Sequence, residues 1–357
     1  MRVFRGEKTD AVPVSLRLDL WYGHAARKKS LPSALENKTL PEIEELLGFA
    51  QTARFRDFFK IRFEDAKIER IAEGEYLREV TSASGKKLTK ISKSGLEATV
   101  SGIQPYVVKF PVETEEECEF LIELFRRACV TVDHSSYNGF DAATGDAGLP
   151  ILIAGPCPAH RVALEYLGYE NFFLFMYDMP DLLNRLISVI EELYRHRLWP
   201  ELASSSATAI LHGAHFSSNM TPPPVFDKYF KPYFSDFVKE MDAGNKFVGF
   251  HADAEMEALL GRVLQIGFDF ADCLATEPLI KTPLSKYYEA WNKKITLWGG
   301  LPSIIFDPSF PFDKFREHVD RTVNIAKNEG ALIIGASDNV MPGAEWQRLL
   351  YVAEAAD

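Results

Sequence analysis

His251 and Asp253 stand two residues apart at the end of the run Lys246–Asp253, KFVGFHAD. In an extended backbone residues i and i+2 point to the same face, so an imidazole and a carboxylate aim at one point. Such a pair can bind a metal or move a proton. A helical segment over Ala254–Ile266 follows at once. The pair therefore sits where a strand hands over to a helix, and the surrounding chain repeats that unit.

The positioning elements read as alternating strands and helices. Strands are expected at Val12–Asp19, Cys129–Asp133, Leu149–Ala154, Ala207–Leu211, Lys246–Phe250, Phe270–Leu274, Ile295–Trp298 and Ala331–Ile334. Helices are expected at Asp181–Leu198, Val225–Asp242, Ala254–Ile266, Leu284–Asn292, Asp313–Glu329 and Ala344–Glu354. A further helix begins after Thr114, where Thr114 and Glu117 form a capping box. Repeated βα units of this length favour an α/β fold of the (β/α)8 TIM-barrel kind over a doubly wound sheet. No GxGxxG or GxxxxGK[ST] follows a strand, so nucleotide-fold motifs are absent. The stretch HSSYNGFDAATGDAG after Asp133 reads as a polar loop.

Between about 58 and 110 the pattern changes to short β-branched and aromatic runs broken by Glu73-Gly74, Ser84-Gly85 and Ser94-Gly95. These are hairpin signals, and they predict a small antiparallel insertion near the N-terminus of a single domain spanning 1–357. In a barrel the segments after the strands share the C-terminal face, where chemistry is placed. Asp19, Asp133, His212, His215, His251, Asp253, Cys273, Glu277 and Asp338 are thereby expected near one another. His212 alone reads as a strand-end hydrogen-bonding residue and Cys273 as a core thiol. Trp21, Tyr22 and Phe216 suit an aromatic ligand, or loop and core packing equally.

Composition sets outer bounds. The 357 residues are 46% hydrophobic with 26 phenylalanines, ample for a core, and 25% charged. A net charge of −11 disfavours nonspecific binding to nucleic acid or anionic membrane. No signal-peptide core or membrane-spanning run is evident, and a cytoplasmic protein is the expectation. Cys118, Cys129, Cys157 and Cys273 are widely separated with no CxxC, as expected of reduced thiols.

Taken in order, several stretches resemble the uroporphyrinogen decarboxylase superfamily, which includes corrinoid-dependent methyltransferases. The opening FRGEKTDAVPV is similar to the family's entry to its first strand. GPCPAHRVALEYLGYENFFLFMYDMPDLL resembles its GxPxT…Y region, and SNMTPPPVFDKYFKPYFSDF its F-x-x-F-x-x-P-Y segment. TLWGGLPS and LIIGASDNVMPG match its last two strand signatures in position.

This resemblance implies a (β/α)8 barrel, a homodimer and one of two activities. The decarboxylases carry two arginines after the first strand for substrate carboxylates; here LRLDLWYGHAA keeps Arg17 and lacks the second. Asp338 falls where their late histidine lies. The methyltransferase branch has His-x-Cys and a late Cys holding zinc. Here His251-x-Asp253 and Asp338 take those places, so the resemblance implies zinc on His251, Asp253 and Asp338. Oxygen ligands make such a metal harder and more Lewis acidic, suited to a methyl ether or methylated amine. Methyl transfer to a corrinoid carried by a partner protein, or to a folate-type acceptor, is the leading expectation, with Glu277 as fourth ligand or proton carrier and His212, His215, Phe216, Trp21 and Tyr22 toward the substrate. The alternative is cofactor-free decarboxylation, with Arg17 gripping a carboxylate and Asp133 stabilising a protonated intermediate. A non-catalytic barrel that binds a small molecule is the third reading.

Overall fold

The computed structural model describes residues 2–7, 9, 11–95, 105–213 and 215–357. In chain order its strands are β1 (Arg54–Phe55), β2 (Phe59–Phe63), β3 (Lys67–Glu73), β4 (Tyr76–Ala83), β5 (Lys86–Lys93), β6 (Tyr106–Lys109), β7 (Ala128–Val132), β8 (Ile151–Gly155), β9 (Ala209–His212), β10 (Phe247–His251), β11 (Phe270–Leu274), β12 (Thr296–Leu301) and β13 (Leu332–Ala336). The chain divides into two compact units, Met1–Arg56 with Ser135–Gly155 and Ser206–Asp357, and Asp57–His134 with Pro156–Ser205.

The first unit is an α/β structure built on one seven-stranded parallel sheet, in the order β1-β8-β9-β10-β11-β12-β13. Strands β9, β11 and β12 are buried at every residue. Both of their faces are covered, which is why they read as continuous apolar runs and not as alternating ones. Helices follow β9 to β13, and the helix Phe312–Glu329 shows how they dock. Phe315, Val319 and Val323 recur every four residues and are buried together with His318, Thr322 and Ala326 one position off that row. That spacing is the apolar stripe of a helix lying on a sheet.

The end of the sheet where the strands begin is plugged from the N-terminus. Phe4 stacks on Phe270, with ring centroids 4.8 Å apart, and packs against Ile151, Ala209, Leu211 and Trp298. Thr296 Oγ1 donates to the carbonyl of Val3 at 3.1 Å and fixes this plug. Polar chemistry is thus left to the opposite end.

Three sequence expectations change. The first strand expected at Val12–Asp19 contributes one parallel bridge, Val14 to Ile334, and Asp19 already begins the helix Asp19–Lys28. Strand pairing therefore does not close a full barrel. The segment does lie between the sheet edges, since Ser15 N–H donates to Ile334, Ile334 N–H to Pro13, and Ala50 N–H to Val14. Second, the strand expected at Cys129–Asp133 is β7, and it pairs antiparallel with β2 in the second unit. Alternation alone does not tell which sheet a strand joins. Third, the stretch after Asp133 is the helix His134–Thr144, anchored by buried Tyr137.

The second unit holds the antiparallel hairpins. β3, β4, β5 and β6 form a four-stranded antiparallel sheet beside the β2–β7 pair. The part of the expected insertion at 96–104 lies outside the described residues. The helix Glu115–Arg126 opens with the Thr114–Glu117 capping box. No described helix is long and apolar enough to cross a membrane.

Two predictions follow from the first unit. Phe4→Ala removes the centre of the plug and should destabilise the protein by about 3 kcal/mol, read from the midpoint of a urea titration. Glu44, buried on the helix Leu40–Leu46, accepts from Thr52 N–H at 3.3 Å, and burial pushes its carboxyl up to about 7. Because its folded-state value lies above its unfolded one, the folded protein binds that proton more tightly. Stability should fall as pH rises from about 4.5 to 7 and then level off. Glu44→Gln should abolish that fall, so the variant matches the wild type at pH 4 and exceeds it at pH 8 by on the order of 3 kcal/mol.

Candidate active site

His251 is the last residue of β10, and its ring is held from several sides. Nδ1 lies 3.1 Å from Asp272 Oδ2, while Nε2 lies 3.3 Å from Asp253 Oδ2 and 3.7 Å from Asp338 Oδ1. His215 stands edge-on to it at 5.7 Å between ring centroids, and His215 Nδ1 bonds Asp253 Oδ1 at 2.9 Å. The cluster has a buried wall, made by Asp272 and Cys273, and a half-exposed rim, made by His215 and Asp338.

Local backbone explains the convergence. Asp272 and Cys273 are neighbours in β11, and a regular strand would send them to opposite faces. The β11–β12 register shifts between Ala271 and Leu274, and Cys273 takes a left-handed φ of +57°. A bulge of this kind re-aims side chains, and here both residues reach the cluster. Gly299 of β12 lies opposite; a Cβ there would come within 2.5 Å of the Leu274 carbonyl, so only glycine lets the strands approach. His215 and Asp338 are also left-handed, at +54° and +63°. Each such residue costs on the order of 1 kcal/mol or more, and strain of this kind gathers at functional sites.

Two arginines complete the site. Arg54, on β1, grips Asp272 with both terminal nitrogens, Nη1 to Oδ2 at 2.8 Å and Nη2 to Oδ1. Their side chains are 6% and 0% exposed, and the pair is fully desolvated. Arg17 bonds Asp338 Oδ1 and Cys273 Sγ through the same Nη1, the sulfur at 3.7 Å. Val340 N–H donates to the Arg17 carbonyl at 2.8 Å, which seats this N-terminal segment against the loop after β13.

The charges are strongly coupled. Burial works against a charged His251, but the sulfur of Cys273 and the bonds to Asp253 and Asp272 hold its ring well above the usual histidine value. Burial alone would raise Asp253 and Asp272. Hydrogen bonds from His215 and His251 instead hold Asp253 well below the carboxylate range, and the Arg54 charge with the His251 bond does the same for Asp272. These directions favour an imidazolium at His251 beside carboxylate anions at Asp253 and Asp272.

The structure thus brings together His251, Asp253, Asp338, His215 and Arg17. Ligand atoms of His215, His251 and Asp253, and separately of His251, Cys273 and Asp338, lie within 4.8 Å of one another. Other expected residues are placed elsewhere. Glu277 faces Arg321 of the helix Phe312–Glu329 at 3.6 Å. Asp133 belongs to the second unit, where its N–H donates to Phe58. His212 is 1% exposed and joins the Gly155 carbonyl to the Tyr233 hydroxyl, both at 2.9 Å. Phe216 stacks on Phe250 inside an aromatic core. Trp21 is buried with its indole N–H on the Ala344 carbonyl, and Tyr22 donates to the Lys38 carbonyl. The polar atoms of buried His212 and Trp21 and of part-buried Tyr22 are engaged by backbone or core partners, and Phe216 is held by ring contacts.

Arg54 and Asp272 escaped the sequence reading. The usable signal was Asp272 itself, a carboxylate inside the buried strand FADCL, which cannot stay charged there without a cation. Removing that cation gives a direct test. Arg54→Met should cost about 3–5 kcal/mol in a denaturant titration by leaving Asp272 unpaired, and adding Asp272→Leu should recover much of the loss.

A search of curated proteins finds no match. Among solved structures the chain resembles a methyltransferase from Methanosarcina mazei, with a TM-score of 0.59 and 16% identity over 100% of this chain and 96% of that one. At that identity the likeness speaks for the fold. The sequence model of the uroporphyrinogen decarboxylase (URO-D) family matches residues 159–357, more than half of the chain. The protein belongs to the uroporphyrinogen decarboxylase (URO-D) family.

Proposed function

We propose that the protein is a methyltransferase-type enzyme of its family, moving a methyl group between a small methylated compound and a corrinoid carried by a separate protein. In this reading the segment Pro13–Leu16 serves as the eighth strand of a (β/α)8 barrel, with the His251 cluster at its C-terminal mouth. The observation that carries the reading is the clamp on His251. Asp272 engages Nδ1 and leaves Nε2 toward Asp253 and Asp338. A carboxylate on one ring nitrogen is what orients a metal-binding imidazole.

The donor types suit zinc, and His251 belongs to both groups of ligand atoms that gather within 4.8 Å. One imidazole nitrogen and two carboxylates can hold the ion with a position left open, His251, Asp253 and Asp338 being the holders. Bound there, zinc would supply Lewis acidity toward an oxygen or nitrogen carrying the methyl group. The chain's own residues do the positioning. Arg54 fixes Asp272, Asp272 fixes the His251 ring, and His215 fixes the second carboxylate oxygen of Asp253. In this reading the methylated compound enters at the half-exposed rim of Asp338 and His215.

A second reading, cofactor-free decarboxylation, is favoured by one specific observation. The Nε atoms of Arg17 and Arg54 are buried without an acceptor among the described residues. In that reading Arg17 grips a substrate carboxylate and His251 delivers the proton at Nε2 to the carbon that has lost carbon dioxide.

The readings separate experimentally. On the first, His251→Ala and Asp338→Ala each lose bound zinc, about one per chain in the wild type, and transfer from methylated ethers or amines to a cob(I)alamin acceptor falls at least about 100-fold. Unchanged metal content and unchanged transfer in His251→Ala would remove the first reading. Loss of carbon dioxide release in Arg17→Ala, with no effect of chelators, would establish the second.

A further inference from the structure

Arg17 Nη1 occupies a telling position. It bonds Asp338 Oδ1 and lies 3.7 Å from Cys273 Sγ, and His251 Nε2 is 3.7 Å from that same Asp338 oxygen. A single cationic nitrogen therefore sits on two of the three ligand atoms that His251, Cys273 and Asp338 bring within 4.8 Å of one another. The arrangement already selects a positive charge there.

Cys273 is not an ordinary core thiol. Its left-handed backbone is costly for a residue with a Cβ, and the bulge turns its sulfur toward charged groups when regular geometry would turn it away. The sulfur meets Arg17 Nη1 and Arg54 Nη2, each at 3.7 Å, and lies 3.5 Å from the Asp338 carbonyl. A packing role would use none of these contacts. A soft ligand beside a nitrogen and an oxygen makes a set that zinc and cobalt accept.

We infer that His251, Cys273 and Asp338 form a divalent-cation site in which Cys273 supplies a sulfur ligand, and that Arg17 is the intramolecular cation which a metal must displace. This rests on the metal-dependent reading above and changes its ligand set, with Cys273 in place of Asp253. Asp253 is then the partner of His215 and a positioning residue. Arg17 acts as a latch: its guanidinium and a divalent ion compete for the same Asp338 oxygen, so the two cannot share the site.

The test uses the full chain freed of metal by a chelator and titrated with cobalt(II) chloride. The wild type should bind with a sulfur-to-cobalt charge-transfer band in the near ultraviolet. Cys273→Ser should lose the band and bind at least about tenfold more weakly, while Asp253→Asn should keep the band. Arg17→Gln should bind at least about tenfold more tightly, because a competing charge is gone, whereas Arg17→Lys, which keeps the charge, should show no gain. A urea titration of each variant identifies those that fail to fold. Cobalt bound without the band, a band that survives in Cys273→Ser, no tightening in a folded Arg17→Gln, or no binding at all would overturn the inference. The outcomes also separate the two readings. A sulfur band without methyl transfer removes only the proposed activity. Methyl transfer that needs His251, with no sulfur band, removes only the role given to Cys273.

Discussion

The buried pair of Arg54 and Asp272 is the interaction on which the site depends. A carboxylate with no solvent exposure is expensive unless a cation meets it with good geometry, and the two-pronged guanidinium contact is the geometry that suffices. Asp272 then has the oxygen Oδ2 in reach of His251 Nδ1, so one ion pair fixes the orientation of the His251 ring. Arg54 also lies over the Trp298 ring at 5.7 Å, which ties the pair to the apolar interior of the sheet. Loss of the pair would therefore free the histidine as well as expose a charge to an apolar wall.

The second constraint is backbone strain. His215, Cys273 and Asp338 belong to three different strand ends and all hold positive φ. Histidine and aspartate tolerate that region better than most residues, and cysteine does so less readily. A fold that accepts this cost at three points of one cluster is held there by its surroundings: the close approach allowed by Gly299, the Ser337 hydroxyl on the Leu274 carbonyl at 3.0 Å, and the Ala252 N–H on the Asp272 carbonyl at 2.7 Å. The rigid sheet sets the positions and the strained loops set the directions.

Much of this was legible in the sequence. The parallel strands from β8 to β13 were found because buried parallel strands are continuous apolar runs, and His251 with Asp253 was found because two residues of strand spacing share a face. The capping box at Thr114 was readable from its spacing alone. β1 was missed because two residues, Arg54 and Phe55, carry no period. Asp272 and Cys273 were missed as partners because a period of two separates neighbours, and only a bulge, which leaves no signature in FADCL, unites them. Glu277 was misplaced for the same kind of reason: being near a strand end does not fix which way a side chain faces, and Arg321 on the outer helix claims it. The helix His134–Thr144 was read as a loop because Ser135, Ser136, Asn138, Gly139 and Asp141 run through it, whereas buried Tyr137 anchors it through tertiary contact.

The way the chain's beginning meets its end has a consequence for biosynthesis. Phe4 seals a floor formed with Phe270 and Trp298, Val14 bridges Ile334, and Arg17 and Arg54 find their counter-ions at Asp338 and Asp272. A ribosome delivers the arginines and the plug long before it delivers the aspartates. Until then the nascent segment carries unmatched cations and an apolar hook with nothing to grip. Folding of the first unit must wait for the late strands, as expected for a topology of such long-range contacts, and a translation product interrupted before β11 would complete neither the floor nor the His251 cluster.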